Sequence, residues 1–545
     1  MPPKKPLRLC ASALKNPDPC PQKPFVPFVP SCESSKYRPF VLSQTGFFFL
    51  LKRDYEWRAV CYVICMTFAV TLSKLDLAVI AMYFAVTLGA GLFMGRFVKS
   101  GKDFFSGGNR VPWWMGAISS YMAMISAFVF IAHGGIAYEE GLVAIVVFWS
   151  CAFAILAGTW IFAPRWRRIR VTTPMEYLER RYGVWVRQLL SWCGVAFRVL
   201  DNMVRLYTLG LIASVLTGVS IEKGIWIGVV IVLAYTMAGG LWSVLVTDMI
   251  QCSILLGVAI AVLPIALHAV GGLGALSAAL PDHFRPFSGP RGSFWFLFAY
   301  YAMVFVKYNA NWAFIQRLAS VPTERDAKKM SLLTAFLLFI FPIVALLPAI
   351  CARQLLPGVN PEESYLRLCC QLLPSGVLGL LVSAMLAATL STLASEFNVT
   401  SAVLTKDVYE RMWRPNASPR EQLIVARLTT LGVAVLVAGG AAYVEALGGA
   451  FETNKMLTGL FGVPIAIPCV FGILWKRPNT KGVVLCILLG MVSAMVLAKI
   501  PALKWEFRTL LQMVFCFIGY FAGALFGTPE KGAASKEELF KELSC

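Results

Sequence analysis

Runs of about twenty consecutive apolar residues recur along most of this 545-residue chain. An α-helix rises about 1.5 Å per residue, so a run of about twenty residues is long enough to cross the hydrocarbon core of a bilayer. The pattern predicts an all-α polytopic membrane protein with about thirteen transmembrane helices. The apolar runs lie near residues 75–96, 115–138, 141–164, 188–216, 223–241, 243–270, 294–316, 330–352, 377–405, 423–446, 453–475, 482–499 and 506–527.

The basic residues of the chain lie mainly in the loops between these apolar runs. The chain has 49 Lys and Arg against 29 Asp and Glu, a formal net charge of +20. The basic residues occur in short clusters instead of on one soluble face, which argues against a nucleic-acid partner. Basic loops stay in the cytoplasm. We therefore expect a multi-pass protein of the plasma (cell inner) membrane with its C-terminus inside, and with cytoplasmic loops near 96–110, 165–181, 325–329, 406–420 and 476–481.

The two ends of the chain differ from the middle. Residues 1–74 are basic and Pro-rich, with only short apolar pieces. They are either an extra membrane-associated segment or an over-extended start, with the true start downstream, for example at Met66. We expect a transmembrane domain at 75–527 and a cytoplasmic tail at 528–545, where a capping-box pattern predicts a short amphipathic helix.

The 15 cysteines lie mostly inside apolar segments and form no CxxC pair of the metal-binding type. This arrangement predicts buried thiols, without a disulfide framework and without a metal cofactor.

An adjacent hydroxyl pair, Ser391 and Thr392, lies inside the apolar stretch 379–404. In a helix, a hydroxyl at i+3 or i+4 leans back toward the carbonyl of residue i, so both oxygens point toward the carbonyl of Ala388. Three hard oxygens in hydrocarbon suit a sodium ion when further oxygens complete its shell. The alternative is that both hydroxyls bond only to their own backbone, as Ser and Thr commonly do in membrane helices.

Several motifs recur together along the chain. They read SGGNRVPWWMGAISS (106–120), Ile-Ser-Ala (125–127), TPMEYLERRYG (173–183), GGLWSVLVTDMIQ (239–251), FIQR (314–317) and LASEFNVTSAVLTKDVYERM (393–412). In order and spacing they resemble the sodium/solute symporter family, whose members couple sodium entry to uptake of sugars, amino acids, carboxylates, iodide or vitamins. The resemblance covers about residues 75–500.

The resemblance implies a core of ten helices in two inverted five-helix repeats, near residues 115–270 and 294–475 here. In that family the first helix of each repeat is broken near mid-membrane, which frees backbone carbonyls for an ion or a substrate. On this sequence the two breaks are expected near residues 122–128 and 307–311.

The resemblance also implies a sodium site between the first broken helix and the helix that carries the hydroxyl pair. Matched motif to motif, its ligands are the carbonyls of Met122, Ile125 and Ala388 and the hydroxyls of Ser391 and Thr392. All five are neutral oxygens, which favours a monovalent ion because calcium usually recruits carboxylates. Sodium is the expected coupling ion, and no other cofactor is expected.

Asp248 lies in the TDMIQ stretch, close to a predicted membrane boundary. Some relatives use this acid, with hydroxyls one turn beyond the sodium pair, as a second sodium site or an exit route. Ser395 supplies one such hydroxyl here, but its neighbour is Ala394, which argues against a second stoichiometric sodium. The alternative is an acid that caps a helix or orders a loop.

Three ionisable residues share one face of the apolar run 188–216. Arg198, Asp201 and Arg205 occur at i, i+3 and i+7, with Asn202 beside them. Ionisable residues inside a membrane span are functional candidates by default. The alternative is a structural charge network that joins two helices.

The predicted substrate site departs from the sugar-carrying members of the family. Where those members have polar groups on the first two core helices, this chain has Val129, Phe148 and Cys151, which bind a ring of hydroxyls poorly. Glucose and galactose are therefore not expected.

Two lysines favour a substrate with a negative group. Lys307 takes the place of the gating tyrosine of the sugar branch, and Lys455 takes the place of a glutamine. Asp201 either pairs with Lys307 in the empty site or binds the amino group of a zwitterion. We expect a small organic anion, with an amino-acid-like zwitterion as the alternative. The expected substrate-binding residues are Ser126, Val129, Asp201, Arg205, Lys307, Asn311 and Lys455.

These observations favour a sodium-coupled secondary active symporter whose partners are a small solute, sodium and the bilayer. A channel needs a continuous polar stripe, and no apolar run other than 188–216 carries one. An intramembrane catalytic motif and a nucleotide-binding loop are absent from the sequence, so an enzyme and an ATP-driven pump are disfavoured. A transporter-like sensor that binds its ligand without flux is the remaining alternative.

Overall fold

The computed structural model of the chain describes residues 72–95, 109–169, 174–236, 241–414, 416–525, 537 and 539–541. The regular structure of these residues is helical, and they contain no strand. The segment 1–71, the choice of start at Met66, and most of the predicted tail helix lie outside the described residues.

The first half of the chain contains ten α-helices in its described residues. They are α1 (Lys74–Gly95), α2 (Trp113–Met124), α3 (Gly134–Glu140), α4 (Val143–Ile161), α5 (Ala163–Ile169), α6 (Pro174–Tyr182), α7 (Val184–Thr217), α8 (Ile221–Thr236), α9 (Leu241–Ala269) and α10 (Leu273–Ala279). A π-helical turn, Val129–His133, precedes α3, and a 3-10 turn, Pro281–Phe284, follows α10.

The second half begins with α11 and ends with α20. The helices are α11 (Phe294–Asn309), α12 (Trp312–Ser320), α13 (Glu324–Leu355), α14 (Pro361–Leu372), α15 (Val377–Val403), α16 (Pro419–Ala441), α17 (Gly449–Leu457), α18 (Val463–Phe471), α19 (Thr480–Ala498) and α20 (Trp505–Leu525). Two π-helical segments, Leu404–Trp413 and Thr458–Gly462, follow α15 and α17.

Each of the thirteen predicted apolar runs contains a helix. Among the described residues, eight helices are long and apolar enough to cross a membrane, and a ninth span results if one bent pair is counted as one. The protein is therefore an all-α polytopic membrane protein, as predicted, while the count of thirteen transmembrane helices stays a prediction. The cysteines of the described part are free thiols.

The first predicted break lies between α2 and the π-helical turn. The α2 helix ends at Met124, and Ile125 has extended backbone angles of φ −105° and ψ 131°. The amide of Ile125 still donates to the carbonyls of Tyr121 and Met122, at 3.1 and 3.2 Å. The chain then turns by 60° into the segment Val129–Glu140. The break lies within residues 122–128, where the family resemblance placed it.

The second predicted break lies between α11 and α12. The α11 helix ends at Asn309, and Asn311 begins α12 by accepting a hydrogen bond from the amide of Phe314 at 2.9 Å. Asn309 closes the end of α11, because its Nδ2 donates to the carbonyls of Phe305 and Ala154, at 2.9 and 3.0 Å. The two breaks thus occupy the first helix of each predicted repeat.

The helix that carries the hydroxyl pair, α15, lies at the centre of the bundle. In its apolar window 83% of the residues are buried, the highest share among the eight long apolar helices. It packs against α1, α7, α9, α16 and α2. Polar groups on α15 therefore have to find partners on neighbouring helices or on their own backbone.

Gly158 allows the close approach of α4 to the end of α11. A Cβ atom at this position would lie 1.9 Å from Oδ1 of Asn309. We predict that Gly158→Ala lowers the thermal unfolding midpoint in detergent, because the methyl group displaces Asn309 and overpacking costs about 1–3 kcal/mol.

The matched control is Gly257→Ala in α9, where a Cβ would meet no atom within 4 Å. Alanine is favoured over glycine in a helix by about 1 kcal/mol, so this midpoint should stay constant or rise. Equal midpoints for the two variants would contradict the packing described here.

Candidate functional site

The first break lies directly against α15. The amide of Ala127, just past the break, donates to Oγ1 of Thr389 at 2.8 Å. Thr389 is two residues from Ser391, so the break and the hydroxyl pair occur at the same level of the bundle. The structure thereby brings together the two segments that carry all five predicted sodium ligands, and each of the five residues is buried.

Both hydroxyls of the pair donate their hydrogen to a neighbouring oxygen. Thr392 donates to the carbonyl of Ala388 at 2.8 Å, and Ser391 donates to Oδ1 of Asp248 at 3.2 Å. A hydroxyl that donates its only hydrogen keeps oxygen lone pairs free to bind a cation. Thr392 follows the backbone-bonding alternative, whereas Ser391 reaches another helix.

Asp248 on α9 belongs to a compact buried network that holds Ser391. Its Oδ2 accepts a hydrogen bond from Ser119 Oγ at 2.5 Å and lies 3.6 Å from Nη2 of Arg317. Arg317 also donates from Nε to Ser119 Oγ at 2.8 Å. The side chains of Asp248 and Arg317 are 2% and 3% exposed, so each charge depends on the other for compensation.

The contacts of Asp248 differ from both roles predicted for it, a second sodium site and a helix cap. The acid holds the hydroxyl of Ser391 itself, and the guanidinium of Arg317 occupies one side of its carboxylate. Ser395, the other residue of the predicted second site, is half-buried one turn further along α15. A capping role does not describe Asp248 either, because it lies inside α9.

A cavity of about 80 Å³ lies between α6, α7, the second break, α15 and α18. In the part of the chain that the structure describes, its ionisable lining residues are Arg198, Asp201, Arg205, Lys307 and Glu396. Asn311 also lines the cavity, although its side-chain oxygen caps α12. Met175 and Leu178 of α6, which belong to the basic segment 165–181, also line the cavity.

Asp201 is the centre of a polar cluster at this cavity. Its Oδ1 lies 3.4 Å from Nζ of Lys307 and accepts from Nδ2 of Asn454 at 2.9 Å. Its Oδ2 lies 2.8 Å from Nη2 of Arg205. Asp201 thus pairs with Lys307, which is one of the two roles predicted for this carboxylate. Lys307 additionally donates to Thr458 Oγ1 at 2.9 Å.

A second ion pair lies closer to α6. Arg198 on α7 binds the carboxylate of Glu396 on α15, and each of the two side chains is 11% exposed. The guanidinium of Arg198 also stacks over the ring of Trp312, 3.9 Å from its centroid. This cluster joins α7, α12 and α15.

Three predicted substrate residues lie away from this cavity. Lys455 turns outward from it: its Nζ pairs with Glu452 and lies 4.9 Å from the ring centroid of Trp505. Its helical neighbour Asn454 contacts Asp201 instead, because adjacent residues on a helix point about 100° apart. Ser126 and Val129 are buried beside the first break and do not line the cavity.

A further set of ion pairs lies at the other end of α11. Arg291 precedes α11 and binds Glu140 at 2.5 Å, Glu139 at 3.0 Å and Glu452 at 3.5 Å. These contacts join the end of α3 to the start of α17. Lys307 is sixteen residues further along, about 24 Å at the rise of an α-helix.

Several residues of these networks escaped the sequence analysis, chiefly Ser119, Arg317, Glu396, Asn454 and Thr458. A signal existed for Arg317 and Glu396, because both are ionisable residues next to or inside apolar runs. For the three neutral residues the sequence carries no comparable signal, since buried Ser, Thr and Asn are common.

A model described as the sodium:solute symporter family matches residues 104–281 and 328–490, which is more than half of the chain. The chain is also similar to individual curated proteins. It is 27% identical over 474 residues to a sodium/glucose cotransporter of Vibrio parahaemolyticus, covering 79% of this chain and 86% of that protein. It is 28% identical over 480 residues to sodium/myo-inositol cotransporter 2 of Sus scrofa, covering 78% and 70%.

Among solved structures, the chain is similar to a Na⁺-coupled sialic acid symporter in a substrate-bound outward-open state. The TM-score is 0.73 at 22% sequence identity, and the match covers 84% of this chain and 99% of that one. This likeness concerns the fold.

The Asp248–Arg317 pair generates a stability prediction. We expect Arg317→Gln to destabilise the protein strongly, because removing one partner of a buried ion pair costs about 3–5 kcal/mol. Adding Asp248→Asn removes the uncompensated charge, so the double variant should be more stable than the single one. Thermal unfolding followed by size-exclusion chromatography measures both.

Arg285→Gln is the control, because the side chains of Arg285 and its partner Asp282 are 72% and 80% exposed. We expect it to leave the midpoint unchanged. Arg317→Gln behaving like Arg285→Gln, or strictly additive losses in the double variant, would contradict the pairing.

Proposed function

The chain belongs to the sodium:solute symporter family, and we propose that it imports a small organic anion, such as a carboxylate, together with sodium. Members of the family are transporters, so the protein is a sodium-coupled solute symporter of the alternating-access type in a membrane. Predicted topology favours the plasma membrane with a cytoplasmic C-terminus.

The observation that carries the anion proposal is the charge of the cavity. Among the described residues that line it, three are cations (Arg198, Arg205 and Lys307) and two are carboxylates (Asp201 and Glu396). The cavity therefore has one positive charge in excess. Uncompensated charge is costly in a low-dielectric interior, and an anionic solute supplies the missing partner.

The relatives named for glucose and myo-inositol raise the alternative of a polyol substrate. Two features disfavour it. Val129, Phe148 and Cys151 stand where sugar carriers have polar groups, and all three are buried apolar side chains here. The charged groups that line the cavity take part in ion pairs, and neutral hydroxyls compensate a charge poorly.

A zwitterionic substrate would need Asp201 to receive an ammonium group. The carboxylate already contacts Arg205, Lys307 and Asn454. An incoming ammonium would meet two cations at once, so its repulsion opposes binding. This crowding favours the anion over the amino-acid alternative.

For sodium we propose the site formed by the carbonyls of Met122, Ile125 and Ala388 and the hydroxyls of Ser391 and Thr392. The contact between Ala127 and Thr389 supports it, because it holds the break against α15. The bond from Ser391 to Asp248 supports it as well, since a carboxylate acceptor makes the hydroxyl oxygen a better cation ligand. A second sodium at Asp248 and Ser395 is disfavoured by Arg317, which already neutralises that carboxylate.

The ion pairs of Arg291 and the cavity near α6 support a state that is closed outside and open inside. In the predicted topology the loop before α6 is cytoplasmic. Sodium and solute bound at mid-membrane would leave through this cavity after the outer side has closed. Inward sodium flow supplies the driving force, about 2.3 kcal/mol per charge per 100 mV of membrane potential.

Uptake into proteoliposomes tests the coupling. We expect accumulation of radiolabelled carboxylates under an inward sodium gradient and little without one. In the double variant Ser391→Ala/Thr392→Ala we expect a loss of about tenfold or more, because each lost ligand weakens binding by on the order of 1 kcal/mol.

The matched control is Ser383→Ala/Thr400→Ala on the same helix, where both hydroxyls bond to their own backbone. We expect its uptake to stay close to that of the wild type. Flux that ignores sodium would overturn the coupling, and saturable binding with no flux would instead favour the sensor.

Lys307→Ala tests the substrate class. We expect the apparent affinity for the carboxylate to fall about tenfold to a hundredfold, because a hydrogen bond to a charged group contributes about 1.5–3 kcal/mol. Lys223→Ala, at an exposed position of α8, is the control. Unchanged carboxylate uptake in Lys307→Ala, or preferential uptake of glucose or myo-inositol by the wild type, would refute the anion assignment.

A further inference from the structure

Glu396 stands between the solute cavity and the proposed sodium site. It lies on α15 one helical turn after Thr392, so the two side chains share a face of the helix. It also lines the solute cavity, unlike Asp248. Glu396 therefore adjoins both the solute cavity and the proposed sodium site.

The carboxylate of Glu396 forms an ion pair with one arginine and exerts an electrostatic effect on two others. It forms an ion pair with Arg198 on α7. It also acts electrostatically on Arg205, which belongs to the solute cluster, and on Arg317, which belongs to the sodium-side network. Glu396 is therefore shared between the cations of the two sites.

Together these ion pairs and electrostatic interactions form a series of alternating charges. Lys307 and Arg205 both pair with Asp201. Arg205 is in turn influenced by Glu396, the partner of Arg198. From Glu396 the series continues through Arg317 to Asp248, whose carboxylate accepts the hydroxyl of Ser391. A change of partner at one end alters the compensation of the next charge, because charges in a low-dielectric interior are weakly screened.

We propose that Glu396, held by Arg198, couples occupancy of the solute cavity to the affinity of the sodium site. The inference rests on the proposed function, a symporter of sodium and an organic anion. An anion in the cavity competes with Glu396 for Arg198. Glu396 then binds Arg317 more strongly, and Arg317 withdraws from Asp248.

The direction of this effect is the one that symport requires. With less compensation from Arg317, Asp248 carries more uncompensated negative charge next to Ser391, and the site attracts sodium more strongly. Anion binding thus raises sodium affinity, and by linkage sodium raises anion affinity by the same factor. Glu396 acts through other residues, so it is a positioning residue.

The test measures binding of radioactive sodium to the full-length protein in lipid nanodiscs. Sodium affinity is measured without carboxylate and with saturating pyruvate, lactate, succinate or nicotinate. The carboxylate with the largest effect is used for the variants. In the wild type we expect the carboxylate to raise sodium affinity about tenfold or more, within the usual range of coupling between sites.

Three variants then separate coupling from simple stabilisation. In Glu396→Gln we expect the carboxylate effect to fall below about threefold, whereas Glu396→Asp keeps the charge and restores part of it. In Arg198→Gln the carboxylate of Glu396 is free to bind Arg317 permanently. We expect this variant to bind sodium more tightly than the wild type without carboxylate, and to respond little to carboxylate. A purely structural pair would not produce a gain in sodium affinity.

Glu363→Gln is the control, because Glu363 pairs with Arg367 on α14, away from both sites. It should keep the full carboxylate effect. A Glu396→Gln protein that keeps the wild-type effect overturns the coupling role, and so does an Arg198→Gln protein with unchanged sodium affinity. If Glu396→Gln yields no folded protein, Glu396→Asp and Arg198→Gln decide the question. If no carboxylate alters sodium binding in the wild type, the anion function itself fails.

Discussion

A charge buried in a membrane protein has to be compensated by another charge, and this constraint organises the interior of the structure. The buried acids Asp201, Asp248 and Glu396 each lie against an arginine. Two of these three pairs join different helices, so the pairs that compensate charge also fix how α7, α9, α12 and α15 pack. Because the same pairs line the cavity or hold Ser391, the packing of the core and the chemistry of the sites cannot be separated.

The two broken helices meet a related constraint on the backbone. Inside a bilayer, freed amides and carbonyls need partners, and the side chains beside each break supply them. Thr389 accepts the amide of Ala127 at the first break, while Asn309 donates to two carbonyls at the second. These side chains thereby satisfy backbone groups next to both breaks. The need for such partners explains why hydroxyl and amide side chains occur at the breaks.

Much of the fold could be predicted from the sequence, because hydropathy reports directly on membrane burial. A helix occurs at each apolar run, and both breaks lie where the family resemblance placed them. The sites were harder to predict, since they depend on which way each residue points. Lys455 and Asn454 are adjacent in sequence, yet only Asn454 contacts Asp201. Asp248 and Arg317 form an ion pair although they are far apart in the chain. A single sequence does not show which distant residues lie close together in the fold.

We propose that sodium and an organic anion cross the membrane together because their buried sites share one set of charges. The most direct test uses a carboxylate gradient, instead of a sodium gradient, as the driving force. Proteoliposomes with equal sodium on both sides receive an inward gradient of the transported carboxylate, and entry of radioactive sodium is followed at zero membrane potential. We expect sodium to accumulate inside against its own gradient while the carboxylate gradient lasts. Sodium entry at the same rate with and without the carboxylate would contradict this coupling.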